Sequence, residues 1–323
     1  MTQLDDSYDV VVLGGGAAGL NAALMLARSR RSVAVIDAGA PRNAPAQGVH
    51  GLLGREGMPP LELLEIGRAE VRGYGGHVVS GEVVSVARAG NTAGAEFLVT
   101  LADGSTVSAR RILVATGLAD ELPDVPGLRE HWGHDVLHCP YCHGWEVRDQ
   151  RIAVLASGPM SVHQALLFSQ LSDDIVYLSH TAELSDEDAE KLVARGIRIV
   201  DGKVVEVLGT GRLTGVQLAD GSVVEREALV VGPRMNTRAT FLTDLGLIPE
   251  PHPSGMGDHI PADPMGRTSV PGVWIAGNAT DPSAQVGAAA AAGAMAGAQI
   301  NAELVMAETT AAVDARRAES SSV

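Results

Sequence analysis

The chain has 323 residues, 46% of them hydrophobic, enough for buried cores in two domains at about 100–200 residues each. A formal charge of −15 speaks against a surface built for nucleic acid or anionic lipid, and no uninterrupted run of about 18 apolar residues reads as a membrane span. Aromatics are only 3% beside 38 glycines, a mix suited to helices packed closely on sheets.

Residues 9–13 read as a buried parallel strand, and a glycine loop and an Ala-rich helix at 20–28 follow at once. The strand 32–36 ends at Asp37 and completes a βαβ unit. Asp5 and Asp6 precede the first apolar run, which is wrong for a secretory signal, so a cytoplasmic protein is expected. Residues 41–60 are Gly/Pro-rich loop and 61–73 a helix. Residues 78–116 hold an antiparallel meander, with turns at Gly90 to Gly94 and at Asp103-Gly104, ending in a strand at 111–115. A linker at 123–126 leads to a second strand–helix–strand unit at 151–155, 161–171 and 175–178. Strands follow at 197–200, 204–208, 215–218 and 228–231. A last strand is expected at 273–276, and a long helix from about Gln285. The Ala/Gly-rich stretch 286–300 reads as a packed core helix, and the chain beyond Ala311 as a frayed polar end. Two βαβ units in tandem predict an α/β chain with two related Rossmann-like nucleotide-binding folds.

The loop Gly14-Gly15-Gly16-Ala17-Ala18-Gly19 carries the dinucleotide spacing. Gly14 permits the tight turn, Gly16 lets backbone approach a pyrophosphate, and Gly19 lets helix pack on strand. The helix N-terminus offers free N–H groups to the phosphates. Asp37, about 20 residues on, is placed to bind ribose hydroxyls.

Cys139 and Cys142 are the only cysteines, which excludes a disulfide scaffold. Two intervening residues let the thiols close a small ring and let one thiolate be favoured over the other. Other readings remain at this point. His138, Cys139, Cys142 and His143 supply four crowded zinc-ligand types, although no metal is expected. Cys139 to His143 also matches c-type haem attachment, and CPYC occurs in glutaredoxins. Two inert buried cysteines are the plainest alternative. His143, and after it His138, are the candidate bases, because imidazole can take a thiol proton near neutral pH.

These motifs, with the Ala115-Thr116-Gly117 turn and the late segment Gly272 to Asn278, resemble the thioredoxin-reductase-like flavoproteins. The resemblance covers nearly the whole chain. It implies a three-layer ββα FAD domain at 1–122 and 245–310, an inserted NAD(P)-domain-like unit at 123–244 carrying the CxxC pair, a flexible tail at 311–323, and a homodimer. It also implies that Gly277 and Asn278 meet the FAD pyrophosphate and ribityl chain, with Asn278 standing where Asp is usual. Gln285 and Val286 would flank the isoalloxazine. Cys142 would be the flavin-proximal thiol and Cys139 the interchange thiol.

The second glycine fingerprint is altered. Ala156-Ser157-Gly158-Pro159-Met160-Ser161 lacks the first and third glycines, and Pro159 removes an N–H. Ser179 to Glu183, followed by Asp186, Glu187 and Asp188, stands where the family clamps a 2′-phosphate with arginines; carboxylates there repel phosphate. This pattern resembles the dithiol oxidase branch, which closes disulfides in small natural products such as gliotoxin and holomycin. The marks are Cys139 to Glu146, Asp37-Ala38-Gly39 with Pro41-Arg42-Asn43, and His50 to Gly54. The branch implies cofactor contacts at Ala38, Arg42, Asn43 and His50, a small-molecule dithiol or disulfide substrate, and dioxygen as acceptor. Trp145 is expected in the pocket wall or the core. The competing expectations are a thioredoxin-type reductase fed by NADPH or ferredoxin, and a redox sensor without turnover.

Overall fold

The structure is a computed structural model and describes residues 4–90 and 96–321. The turn expected at Gly90 to Gly94 lies largely outside the described residues.

The first unit opens with β1 (Ser7–Leu13), α1 (Ala17–Arg28), β2 (Val33–Asp37), α2 (Pro60–Gly73) and β3 (His77–Ser80). Then come the meander strands β4 (Val83–Arg88), β5 (Phe97–Leu101) and β6 (Thr106–Val114), and β7 (Leu118–Glu121) leads away. The second unit comprises β8 (Val136–Leu137), α3 (Pro140–His143), β9 (Ile152–Leu155), α4 (Ser161–Phe168), β10 (Ile175–Leu178), α5 (Asp186–Ala194) and β11 (Arg198–Val200). It continues with β12 (Val204–Leu208), β13 (Gly215–Leu218), β14 (Val223–Glu225) and β15 (Ala228–Val231). The chain returns through β16 (Arg234–Thr237), β17 (Glu250–Pro251), β18 (Asp258–His259), β19 (Val273–Ile275) and α6 (Val286–Ser321).

In the first sheet β3, β2, β1 and β6 run parallel, and β5 and β4 continue antiparallel from β6. The first part of β6 pairs with β5 and its last part with the late strand β19, so the first sheet contains both ends of the chain. Alternation along β1 sets the layers. Val10 and Val12 join the core under α1 and α6, while Val11 and Leu13 join the core under the meander. The second sheet, β11-β10-β9-β15-β8, is wholly parallel. Ala153 and Leu155 face the β12–β14 meander, and Ile152 and Val154 face the helices. The expected α/β class with two three-layer units is what the structure contains.

The linker expected at 123–126 carries no strand or helix, and just before it β7 pairs antiparallel with β16, so that the two carry the chain out and back. Ala239 and Leu242 pack in the core of the first sheet, so the chain has rejoined that unit before residue 245. The expected frayed end is also corrected, because α6 remains helical to Ser321, with its last turns exposed. The Ala/Gly content of α6 follows from its approach to α1. A Cβ on Gly293 would lie 2.0 Å from the Ala18 carbonyl oxygen, and one on Gly297 would lie 2.8 Å from that of Ala22. Gly277 also lies over the start of α1, where a Cβ on it would come 2.9 Å from the Ala18 Cβ.

Candidate active site

The glycine loop after β1 does what its spacing demands. Gly14 has φ +109°, and a Cβ there would lie 2.4 Å from the Ala115 carbonyl oxygen. A Cβ on Gly19 would lie 1.9 Å from the Gly14 carbonyl oxygen, so helix and strand pack backbone to backbone. Gly16 meets nothing within 4 Å and is open. The first bond into α1 runs from the Leu20 N–H to the Gly16 carbonyl, which leaves the N–H groups before it as the helix's free donors. Sequence spacing missed Gly15. A Cβ there would lie 2.4 Å from the Asp37 carboxyl carbon, a contact that only the β1–β2 register reveals.

These donors open on a cavity of about 950 Å³ that runs from Asp37 past the glycine loop to the cysteines. Every expected cofactor and catalytic residue lines it except Gly19, which packs beneath. Its size suits a dinucleotide-scale ligand. The open Cβ direction of Gly16 and the free N–H groups fit a pyrophosphate, so the cavity fits FAD.

Several expected ligand groups already have protein partners. Asp37 accepts the Gly39 N–H at 2.9 Å and the Arg68 Nη2 at 2.7 Å, so one carboxylate oxygen is tied to α2. Arg42 lines the cavity while its fork grips Asp120 through two bonds of 2.7 Å. Asn278 donates its amide to the carbonyls of Asp281 (3.0 Å), Pro282 (3.3 Å) and Ala284 (2.9 Å). A carboxylate, usual at this position in the family the motifs resemble, could not make these bonds. The change to Asn therefore holds the loop that leads into α6.

Cys139 and Cys142 form a disulfide, with Cα atoms 5.2 Å apart. Cys139 caps the short α3, where its sulfur accepts the Cys142 N–H at 3.2 Å and Pro140 fills the first helical turn. Gly144 closes the turn, since a Cβ there would lie 2.3 Å from the Pro140 carbonyl oxygen. Both cysteines line the large cavity. Cys142 alone of the two also lines a smaller one, of about 320 Å³, shared with His50, His134, His143 and Glu146.

Burial pushes His143 below its ordinary value, with His50 and His134 acting the same way against Glu146 and Asp135. Burial and the Arg42 charge also push His138 down, against the Val231 carbonyl and Asp120. Both imidazoles are therefore neutral near pH 7 and can take a proton. His50 bridges two carboxylates, Glu56 at 2.6 Å and Glu146 at 3.5 Å, and lines both cavities. Trp145 is neither pocket wall nor core. It is exposed, lines neither cavity, and carries the Arg148 guanidinium 4.2 Å from its ring centre. No cluster of three or more metal-ligating side chains occurs among the described residues.

The second glycine-like loop is closed from within. The Ser161 hydroxyl, 1% exposed, accepts the N–H groups of Ser157 at 3.1 Å and Gly158 at 3.2 Å. Ser157 is itself tied to Gly232 through its hydroxyl. Beyond β10, the His180 ring accepts the Val204 N–H at 3.0 Å. Asp186, Glu187 and Asp188 form the first turn of α5, capped by Ser185.

The chain matches the model of the pyridine nucleotide-disulphide oxidoreductase family over residues 8–298. It is 32% identical to the thioredoxin reductase sirT of Leptosphaeria maculans, over 94% of this chain and 96% of that one. With the thioredoxin reductase tcpT of Claviceps purpurea the identity is 30%, over 84% and 86%. The crystal structure of HlmI superposes with a TM-score of 0.90 at 48% identity, covering 97% of this chain and 98% of that one. An oxidoreductase from Agrobacterium tumefaciens superposes with a TM-score of 0.85 at 34% identity, covering 93% and 99%. The chain belongs to the pyridine nucleotide-disulphide oxidoreductase family and is a thioredoxin-reductase-like flavoprotein that binds FAD.

Proposed function

We propose that this protein is an FAD-dependent dithiol oxidase that closes a disulfide in a small-molecule dithiol, with dioxygen as the electron acceptor. A substrate thiolate attacks the Cys139 sulfur, the Cys139–Cys142 bond breaks, and Cys142 leaves as a thiolate. The second substrate thiol gives its proton to His143 and attacks the substrate sulfur bonded to Cys139. Oxidised product leaves, and Cys139 and Cys142 hold the electron pair. FAD, held by the glycine loop in the cavity that both cysteines line, would supply the acceptor for that pair and the route to dioxygen, with the enzyme disulfide restored and the two substrate protons leaving in hydrogen peroxide. In this reading Cys139 is the interchange thiol and Cys142 the flavin-side thiol, as in the family. The enzyme acts as a cytoplasmic homodimer, without nucleic acid or membrane. No helix among the described residues is long and apolar enough to cross a membrane.

The observation that carries the choice of an oxidase is the Ser161 hydroxyl, which occupies N–H groups that a second dinucleotide would need. The motif resemblance to the dithiol oxidases of the gliotoxin and holomycin type supports the same choice. The reading is tested by following flavin absorbance at ~450 nm in anaerobic stopped flow. Dithiothreitol is expected to bleach the flavin, NADPH to leave it oxidised, and admitted air to restore it with release of peroxide. Cys142→Ser should slow bleaching by a factor on the order of 10³ or more. The histidine adds a pH signature. Because burial holds His143 below its ordinary value, its neutral form dominates at pH 7, and protonation of the ring adds an acid-side fall in rate beyond the loss of substrate thiolate. His143→Asn should remove that limb. Fast bleaching by NADPH would instead make the protein a reductase, as the names of the two fungal relatives have it.

A further inference from the structure

The N-terminal turn of α4 stands where the family's second dinucleotide would put its phosphates, and two of its side chains face inward. Ser161 closes the loop. Gln164, three residues on, is 4% exposed and points at the other site. Its Nε2 lies 3.0 Å from the His138 carbonyl oxygen and 3.0 Å from His138 Nδ1. The carbonyl fixes the orientation of the amide. An amide oxygen turned toward it would set two acceptors against each other, so the NH₂ group faces His138. One hydrogen goes to the carbonyl and the other to the ring, which makes Nδ1 an acceptor. The Val231 carbonyl, 3.3 Å from Nδ1, could accept only from the opposite, Nδ1–H tautomer, and it is the longer of the two contacts at this nitrogen. The Gln164 Oε1 is left buried with no partner, so this orientation is kept at a cost. His138 Nε2 is not among the buried unpartnered atoms and has no hydrogen bond among the described residues, and His138 lines the large cavity together with Cys139.

We propose that Gln164 is a positioning residue: it holds His138 in the Nε2–H tautomer, so that the ring presents a hydrogen-bond donor to Cys139 when that sulfur leaves as a thiolate. The second nucleotide unit, closed to a dinucleotide at Ser161, thereby serves the disulfide site instead. The charged groups facing His138 are Arg42 and Asp120, which are paired to each other, and burial favours the neutral ring. In this division of labour His143 takes protons and His138 donates a hydrogen bond. The kinetic part of the proposal rests on the reading of Cys139 as the interchange thiol; the tautomer does not.

The test is nitrogen NMR of holoenzyme labelled with ¹⁵N-histidine, with resonances assigned by His138→Ala, alongside anaerobic flavin bleaching by dithiothreitol. His138 is expected as the neutral Nε2–H form. Gln164→Met, which keeps length without donors, should release Nδ1 to donate to the Val231 carbonyl and so switch the tautomer. The same variant should slow bleaching about tenfold. In a His138→Ala background it should slow it no further, because Gln164 acts through that ring. An Nδ1–H tautomer in the unaltered enzyme, or an unchanged tautomer in Gln164→Met, would overturn the proposal. So would an equal slowing in both backgrounds. If the tautomer switches while neither protein is bleached by dithiothreitol, the positioning stands and the dithiol reading falls.

Discussion

The two glycine-type loops share a setting and differ in what they offer. Each follows a buried parallel strand and opens a helix packed on that strand's sheet. In the first, Gly16 faces open space and the early N–H groups of α1 point into a cavity of about 950 Å³. In the second, Ser161 stands where the third glycine of the fingerprint would be, and its hydroxyl takes the N–H groups of Ser157 and Gly158. The helix N-terminus is an anion site only while its donors are unspent. The Ser161 side chain thus spends the donors that the first loop leaves free, although each loop leaves a parallel strand in the same way.

The largest expected effect tests that contrast directly. Neither Gly16 nor Gly158 has an atom within 4 Å of its Cβ direction, so valine at either position leaves the FAD-free protein folded. Gly16→Val places a side chain where the pyrophosphate approaches. Losing one or two charge-assisted bonds there costs about 2–3 kcal/mol, roughly a 30- to 150-fold weaker FAD affinity. Gly158→Val should leave FAD affinity unchanged. Titration of the FAD-free proteins with FAD, read by flavin fluorescence, compares them. Equal losses would show that the two loops do not differ in the way described.

The sequence disclosed features whose cause is local. The turn at Gly14, the CxxC ring and the strand–helix alternation depend on residues close in the chain, and each stands where its spacing put it. Long-range partners could not be read. Arg68 reaches Asp37, Gln164 reaches His138 and Asp37 presses on Gly15 only because sheet order brings them together. Trp145 illustrates the other failure. Its neighbours in sequence are catalytic candidates, yet the turn at Gly144 directs it outward to Arg148. The end of α6 misled for a simpler reason, since its polar composition says that it is exposed and not that it is uncoiled.

Asn278 sharpens the contrast from the side of the first unit. There the departure from the family's Asp keeps the site in shape rather than closing it. Asn278→Asp would turn a carboxylate toward the carbonyls of Asp281, Pro282 and Ala284 in place of the amide donor. The expected loss is about 2 kcal/mol of stability, seen as a lower urea midpoint for the FAD-free protein, with no gain in FAD affinity. A tighter-binding and more stable variant would mean that the loop carbonyls can turn away, and that Asn278 is not what holds them.

Ser161→Ala carries the smallest expected effect and separates two causes of closure. Removing the hydroxyl frees the N–H groups of Ser157 and Gly158, which are near enough to solvent to take water, so the loss should be about 1 kcal/mol by urea unfolding. The freed donors still face an unsuitable surround. Pro159 contributes no N–H, the His180 ring is committed to the Val204 N–H, and the first turn of α5 carries Asp186, Glu187 and Asp188. NADPH should therefore leave the flavin of Ser161→Ala oxidised. If NADPH bleaches it, the hydroxyl alone closes the second loop, and the acidic surround has no part in excluding the dinucleotide.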